Sequence, residues 1–183
     1  KTRLIRSGVN GDVILPERVV LPRLADFLIG IVDLMEYDID FAHKAQEDWY
    51  ELCTVDFEDA FHTLTLKEQD RGVMAFRTLP GWAVFSRLCC GMAAAPLIWC
   101  RTSATGCRLA QACFLPHELR IQCFVDDPAV AVRGSPEDRK WLLGALLLFW
   151  AVLGLTFNWK KGCLFSPSDA ADAEATRYPG CLR

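Results

Sequence analysis

The sequence predicts an α+β domain, an antiparallel sheet backed by helices in a two-layer sandwich. Three features carry that expectation. Cys53 to Phe57 is a short apolar run that reads as a buried strand. Ile121, Cys123 and Val125 alternate with Gln122 and Phe124, and Ala129 to Arg133 alternates again, which is a hairpin with Asp126-Asp127 at its tip. Pro96 to Phe114 and Ser135 to Leu153 are each long enough to be a helix lying along such a sheet. A chain of 183 residues that is 52% hydrophobic and 23% charged can bury a substantial core, which excludes disordered and low-complexity classes.

In chain order, Lys1 to Leu15 is short and strand-like, with Gly8, Asn10 and Gly11 marking a turn. Pro22 starts a helix whose Leu24, Leu28, Ile31, Val32 and Met35 fall on one face. The acidic stretch to Glu51 reads as a loop and a further helical piece. Phe61 to Leu66 alternates apolar and polar residues, and Pro80-Gly81 makes a turn inside Arg77 to Leu88. For the last helix, Ser135 fits the N-cap, Pro136 the first helical position and Asp138 the acidic partner of a capping box. Gly154 supplies a left-handed cap, which leaves Leu155 to Asn158 as a short strand.

Nine cysteines, none in C-x-x-C spacing, argue for reduced, buried thiols in an intracellular compartment rather than a zinc site or a disulfide framework. The N-terminus lacks an apolar secretory segment, and a start at Lys1 suggests a piece of a longer protein. Trp141 to Trp159 carries no charge and has the length of a membrane span. Gly144, Gly154, Asn158 and the start signal at Ser135 favour a buried helix followed by a strand instead. The net charge of −3 hides an asymmetry: residues 24–70 balance to −11, residues 71–120 to +5. That pattern suits a protein holding cations beside a polyanion, and solvated faces produce it too.

Adjacent aspartates at a hairpin tip repel unless a cation intervenes. A turn accounts for one Asp, not for a pair preceded by Cys-Phe-Val. Thr54-Val55-Asp56-Phe57 places another aspartate at the end of an apolar run. If the two strands are neighbours, Asp56, Asp126 and Asp127 meet as a hard-oxygen site for two Mg²⁺ ions, the arrangement that serves in-line phosphoryl transfer.

Four blocks in order give these carboxylates a family context. Thr54 to Phe61 contains Asp-x-x-x-Ala-Phe; Leu88 to Pro96 is a Gly-centred loop ending in Pro; Phe124-Val125-Asp126-Asp127 is an aromatic-x-Asp-Asp tip; Leu153 to Lys161 ends in a lysine pair. They resemble motifs A, B, C and D of reverse transcriptases of the retroviral and retrotransposon type. Arg3 to Asn10 is similar to the end of the fingers segment, and Tyr178 to Leu182 to the primer grip.

The resemblance implies a reverse transcriptase palm with truncated fingers, residues 1–50 being a fingers remnant with connecting helices and residues 51–183 the palm. It implies RNA-directed DNA synthesis with two Mg²⁺, for which Mn²⁺ can substitute. Asp56, Asp126 and Asp127 would be catalytic, and Asp56, Phe57, Asp126 and Asp127 would hold the metals. Lys161, with Lys160 as the neighbouring alternative, would serve the leaving phosphate. Phe61 would be the steric gate against a 2′-hydroxyl, in a substrate pocket with Asp59, Ala60, Gly91 and Arg3. Arg101, Arg108 and Gly180 would contact nucleic acid. The blander readings are a core aromatic for Phe61, a solvated lysine for Lys161 and solvated surface for the arginines.

The implied partners are an RNA or DNA template with its primer, deoxynucleoside triphosphates and the rest of a retroelement polyprotein: a thumb, with RNase H and integrase as further candidates. No membrane is implied. Two departures from the family pattern are Cys90, where retroviral enzymes often carry Gln, and Pro128, which removes a backbone donor directly after the aspartate pair. These departures and the missing thumb leave a catalytically decayed or domesticated palm as the alternative.

Overall fold

The structure, a computed structural model, describes residues 9–11, 13–36 and 50–165. In chain order the elements are a 3₁₀ turn Val9–Gly11, helix α1 (Leu24–Glu36), strand β1 (Tyr50–Thr54) and a 3₁₀ turn Ala60–Thr63. A short helix α2 (Glu68–Arg71) and a 3₁₀ turn Gly72–Met74 lead into β2 (Ala75–Thr78) and β3 (Gly81–Val84). Then follow α3 (Ala95–Cys113), β4 (Leu119–Phe124), β5 (Asp127–Arg133), α4 (Pro136–Val152) and β6 (Cys163–Phe165). The mixture is α+β, as expected.

The chain divides into two compact units. One gathers the described residues up to Val20 with Asp59–Thr102, the other Leu21–Glu58 with the described residues from Ser103 onward.

The second unit is built on a four-stranded antiparallel sheet in the order β4-β5-β1-β6. The β4–β5 hairpin follows from sequence alternation: Leu119 faces Val132 and Ile121 faces Val130, so apolar residues share a pleat face. Leu119, Val130, Ala131, Val132, Leu146 and Trp150 are buried completely or nearly so. Gln111 on α3 covers part of the β4 edge: its amide donates to Leu119 O at 2.8 Å and its carbonyl accepts from Ile121 N at 3.0 Å. Edge-strand groups left unpaired would invite foreign strands. Arg133 donates to Leu34 O, tying β5 to the end of α1. Arg139 of α4 lies 3.3 Å from Glu51 of β1, with both side chains largely buried.

Helix α4 begins and ends where the sequence says it should. Ser135 Oγ accepts from Asp138 N and donates to Asp138 Oδ2. At the other end Gly154 has φ +81°, Leu155 N donates to Trp150 O, and Gly154 N to Ala151 O, a complete Schellman cap. Among the described residues no helix is long and apolar enough to cross a membrane. Gly154 ends α4 and sends the apolar chain onward as extended backbone instead.

In the first unit, β2 and β3 form a two-stranded sheet around the Pro80-Gly81 turn. Residues 64–66 pair back against 86–88 through Leu88 N to Leu64 O and Leu66 N to Ser86 O. Leu88 and Trp99 are its most deeply buried large side chains.

The alternating run Phe61 to Leu66 divides: Asp59 at φ +50° starts the 3₁₀ turn Ala60–Thr63, closed by Thr63 Oγ1 donating to Ala60 O, and residues 64–66 are the part that pairs with 86–88. Three sequence expectations are corrected. Within Lys1 to Leu15 the turn at Asn10 and Gly11 is present as a 3₁₀ turn over residues 9–11, but 13–15 form no strand; residues 1–8 and 12 lie outside the described residues. The stripe Leu24, Leu28, Val32, Met35 of α1 stays exposed, while Leu34 is fully buried, because Asp33 and Leu34 face the arginines of β4 and β5. Leu155 to Asn158 makes a single bridge, Phe57 with Phe157, and the strand that joins β1 is β6. The helical piece expected before Glu51 falls on residues 37–49, outside the described residues.

Candidate active site

Backbone hydrogen bonds bring the three aspartates together. Beyond β1 the chain continues extended between the β4–β5 tip on one side and residues 156–158 on the other. Val55 N donates to Pro128 O at 3.1 Å and Phe57 N to Asp126 O at 3.0 Å. On the far side Glu58 N donates to Thr156 O at 2.8 Å and Asn158 N to Asp56 O at 2.9 Å. The Val55 and Phe57 bonds flank Asp56 and Asp127, which the antiparallel register therefore sets directly opposite each other, with Asp126 opposite Phe57 one residue on. Phe57 anchors the segment: it is buried, with its ring edge-on to Trp150 at 5.4 Å and tilted on Phe157 at 5.8 Å.

The hairpin tip is a two-residue turn. Phe124 pairs with Asp127, which leaves Val125 and Asp126 at the corner. Val125 has φ +62°, a position normally given to glycine, and a β-branched residue there is strained by roughly 1–3 kcal/mol. Pro128 does not break the hairpin. Phe124 and Asp127 exchange the ladder bonds next to the turn, so the Cys123–Pro128 pair needs none between its members. The Pro128 ring is fully buried and its carbonyl serves Val55.

The side chains form a tight charged cluster. Asp56 is 8% exposed, and Lys161 Nζ sits 3.0 Å from its Oδ1. Asp127 is open to solvent, yet desolvation of its carboxyl, then the charges of Asp126 and Asp56, raise its pKa; it also shares a hydrogen bond with Asp56. The hydrogen bond and charge of Asp56 raise the pKa of Lys161. Lys161 is thus the lysine at the site. Lys160 uses its backbone N–H on Asn158 Oδ1.

In the sequence Asn158 counts only against a membrane span, with no role at the site. It positions Asp56 through its N–H and turns the chain so that Lys161 comes back, with its carbonyl accepting from Lys161 N. Nothing in periodicity marks such a residue.

Three carboxylates beside a lysine ammonium are oxygen donors of the kind a hard divalent cation takes. As the side chains stand, no three His, Cys, Asp or Glu among the described residues converge on one ligating point.

The first unit holds the other expected site residues. Phe61 is half-buried, its ring edge-on to the buried Trp99 at 6.4 Å and 66°, which fixes its orientation. Ala60 is buried beneath it in the same 3₁₀ turn, and Asp59 is exposed beside His62, 3.8 Å away. Gly91 has φ +95°, a backbone conformation that favours glycine. Asn10 clamps that loop. Its Nδ2 donates to Gly91 O at 2.6 Å and its Oδ1 accepts from Ala93 N at 2.8 Å. Asn10 carried only a turn signal in the sequence.

Arg101 and Arg108 both lie exposed on α3. Arg101 is in an ion pair with Glu17, and Arg108 hydrogen-bonds Thr105 Oγ1 at 3.3 Å. A phosphate contact at either arginine would have to compete with these partners. Arg3 and Gly180 lie outside the described residues.

A family model described as Reverse transcriptase (RNA-dependent DNA polymerase) matches residues 12–181. No curated protein matches the chain at a significant level.

Proposed function

The chain belongs to the reverse transcriptase family, and from that premise we propose that it adds deoxynucleotides to a primer 3′-hydroxyl under the direction of an RNA template. The observation that carries this reading is the convergence of Asp56, Asp126 and Asp127 with Lys161 at one end of an antiparallel sheet. Two Mg²⁺ ions, or Mn²⁺ in their place, would be held by Asp56, Asp126 and Asp127 with the main chain at Phe57, and would supply charge neutralisation on the triphosphate and a lowered proton affinity at the 3′-hydroxyl.

The protein's own groups do the rest. Lys161, whose ammonium pairs with Asp56, would give a proton to the leaving phosphate. Phe61, whose ring packs edge-on with Trp99, would be the steric gate against a 2′-hydroxyl. Gly91, clamped by Asn10, lets the backbone approach a base pair without a Cβ in the way. Asp59, Ala60 and Arg3 would serve nucleotide binding, and Arg101, Arg108 and Gly180 would contact template or primer. The implied protein partners are a thumb and, as further candidates, RNase H and integrase of a retroelement polyprotein.

The test is extension of a DNA primer on an RNA template with Mg²⁺ or Mn²⁺. Extension by the wild type, its loss on chelation, and its loss in Asp126→Asn by about a thousandfold or more support the assignment. Equal extension by Asp126→Asn contradicts it.

A further inference from the structure

The β2–β3 hairpin carries a side-chain pair that the polymerase centre does not use. Arg77 and Trp82 stand opposite each other in its register, so they share one face with Ala75 and Val84. That face is open: Trp82 is 76% exposed, and Ala75, Arg77 and Val84 are exposed with it. The opposite face holds Phe76, whose ring packs on Phe85 at 5.1 Å. Arg71 and Arg87, which flank the hairpin in sequence, are committed to backbone carbonyls, Arg71 to Leu66 and Arg87 to His62 and Thr63. No Asp or Glu occurs between Asp70 and Glu118.

A large ring in water beside a guanidinium, in an acid-free stretch of chain, matches the two components that bind single strands. One is a π-surface on which any base stacks; the other is a positive charge for the phosphate next to it. We propose that the open face of the β2–β3 hairpin binds single-stranded nucleic acid, with Trp82 stacking on a base and Arg77 pairing with a phosphate. Charge favours this occupant over a protein partner, since the one charged side chain among Ala75, Arg77, Trp82 and Val84 is positive and stands beside an exposed ring. The inference rests on the polymerase reading for the class of partner alone.

The test is fluorescence anisotropy of a labelled oligo(dT) of about 20 nucleotides, titrated with the 183-residue chain at several salt concentrations. Trp82→Ala is expected to weaken binding about tenfold with the salt slope unchanged, whereas Trp82→Phe, which keeps a ring, weakens it less than about threefold. Arg77→Ala is expected to lower the slope of log K against log salt by about 0.7. Binding by Trp82→Ala and Arg77→Ala equal to wild type, or no binding by the wild type, overturns the proposal.

One-nucleotide primer extension on a template with a minimal overhang keeps the two readings apart. Trp82→Ala is expected to retain it. If the wild type fails to extend while the binding changes appear, the polymerase reading falls and the hairpin site stands. If extension persists and the binding changes do not appear, the hairpin site alone is overturned.

Discussion

Asp127 holds its proton more firmly than an ordinary aspartate. Desolvation and the charges of Asp126 and Asp56 raise its pKa above the ordinary value of 3.8, while the charge of Lys161 pulls it down. Ligation of a cation needs the ionised form, so nucleotide addition should fall on the acid side at a pH above that expected for an ordinary aspartate. Lys161→Ala removes the lowering influence. The acid limb of the pH–rate profile should therefore move upward, and the rate at neutral pH should drop about 10- to 100-fold. Lys161 itself has a raised pKa, so its pairing with Asp56 stabilises the fold fully below 10.5 and is lost as pH rises through the folded-state value. A profile for Lys161→Ala that overlays the wild type would remove Lys161 from the centre. Phe61→Ala should lower the preference for deoxynucleotides over ribonucleotides by about tenfold or more, measured as competitive incorporation, because the ring that Trp99 holds in place is gone. At this scale the sequence revealed the aspartates, because a like-charged pair behind an apolar strand is costly. Asn10 and Asn158 act on backbone groups far along the chain, and such contacts leave no pattern in a single sequence.

Elements with complete local signals were legible to within a residue or so. Helix α4 was announced by Ser135, Pro136 and Gly154, and all three act as their chemistry requires. Gly154→Ala places a Cβ at φ +81° and should cost roughly 1–2 kcal/mol, seen as a fall in Tm of about 2–8 °C. An unchanged Tm would mean that the cap is not held in the left-handed region. The β4–β5 hairpin was legible from alternation even with Val125 and Pro128 at its tip, since the ladder places the proline where no bond to Cys123 is needed. The face of α1 was not legible in the same way. Its apolar stripe is real, but Arg120 and Arg133 draw Asp33 and the Leu34 carbonyl toward the sheet, and the stripe is left exposed among the described residues. Polar tertiary contacts decided that orientation. The Arg139–Glu51 pair is of the same kind: Arg139→Ala should destabilise by about 2–3 kcal/mol in denaturant titration, somewhat below the loss for a fully buried pair, by leaving Glu51 without its partner.

For the whole molecule, the charge asymmetry of the sequence has a structural counterpart. The acidic run of residues 24–70 includes Asp56 of the carboxylate cluster, and the basic run of residues 71–120 includes the exposed Arg77, Arg101 and Arg108. The family match over residues 12–181 spans both compact units, as the ordered motifs required. Two-unit organisation was not legible, because the first unit joins residues near the N-terminus to Asp59–Thr102 across a long gap in sequence. The central claim is that the Asp56, Asp126 and Asp127 carboxylates are the reacting centre of a polymerase. It is tested most directly by the rate of single-nucleotide addition to a primer on an RNA template by Asp56→Asn beside the wild type, in Mg²⁺. The account predicts loss of addition by about a thousandfold or more. Addition by Asp56→Asn within about tenfold of wild type would contradict it.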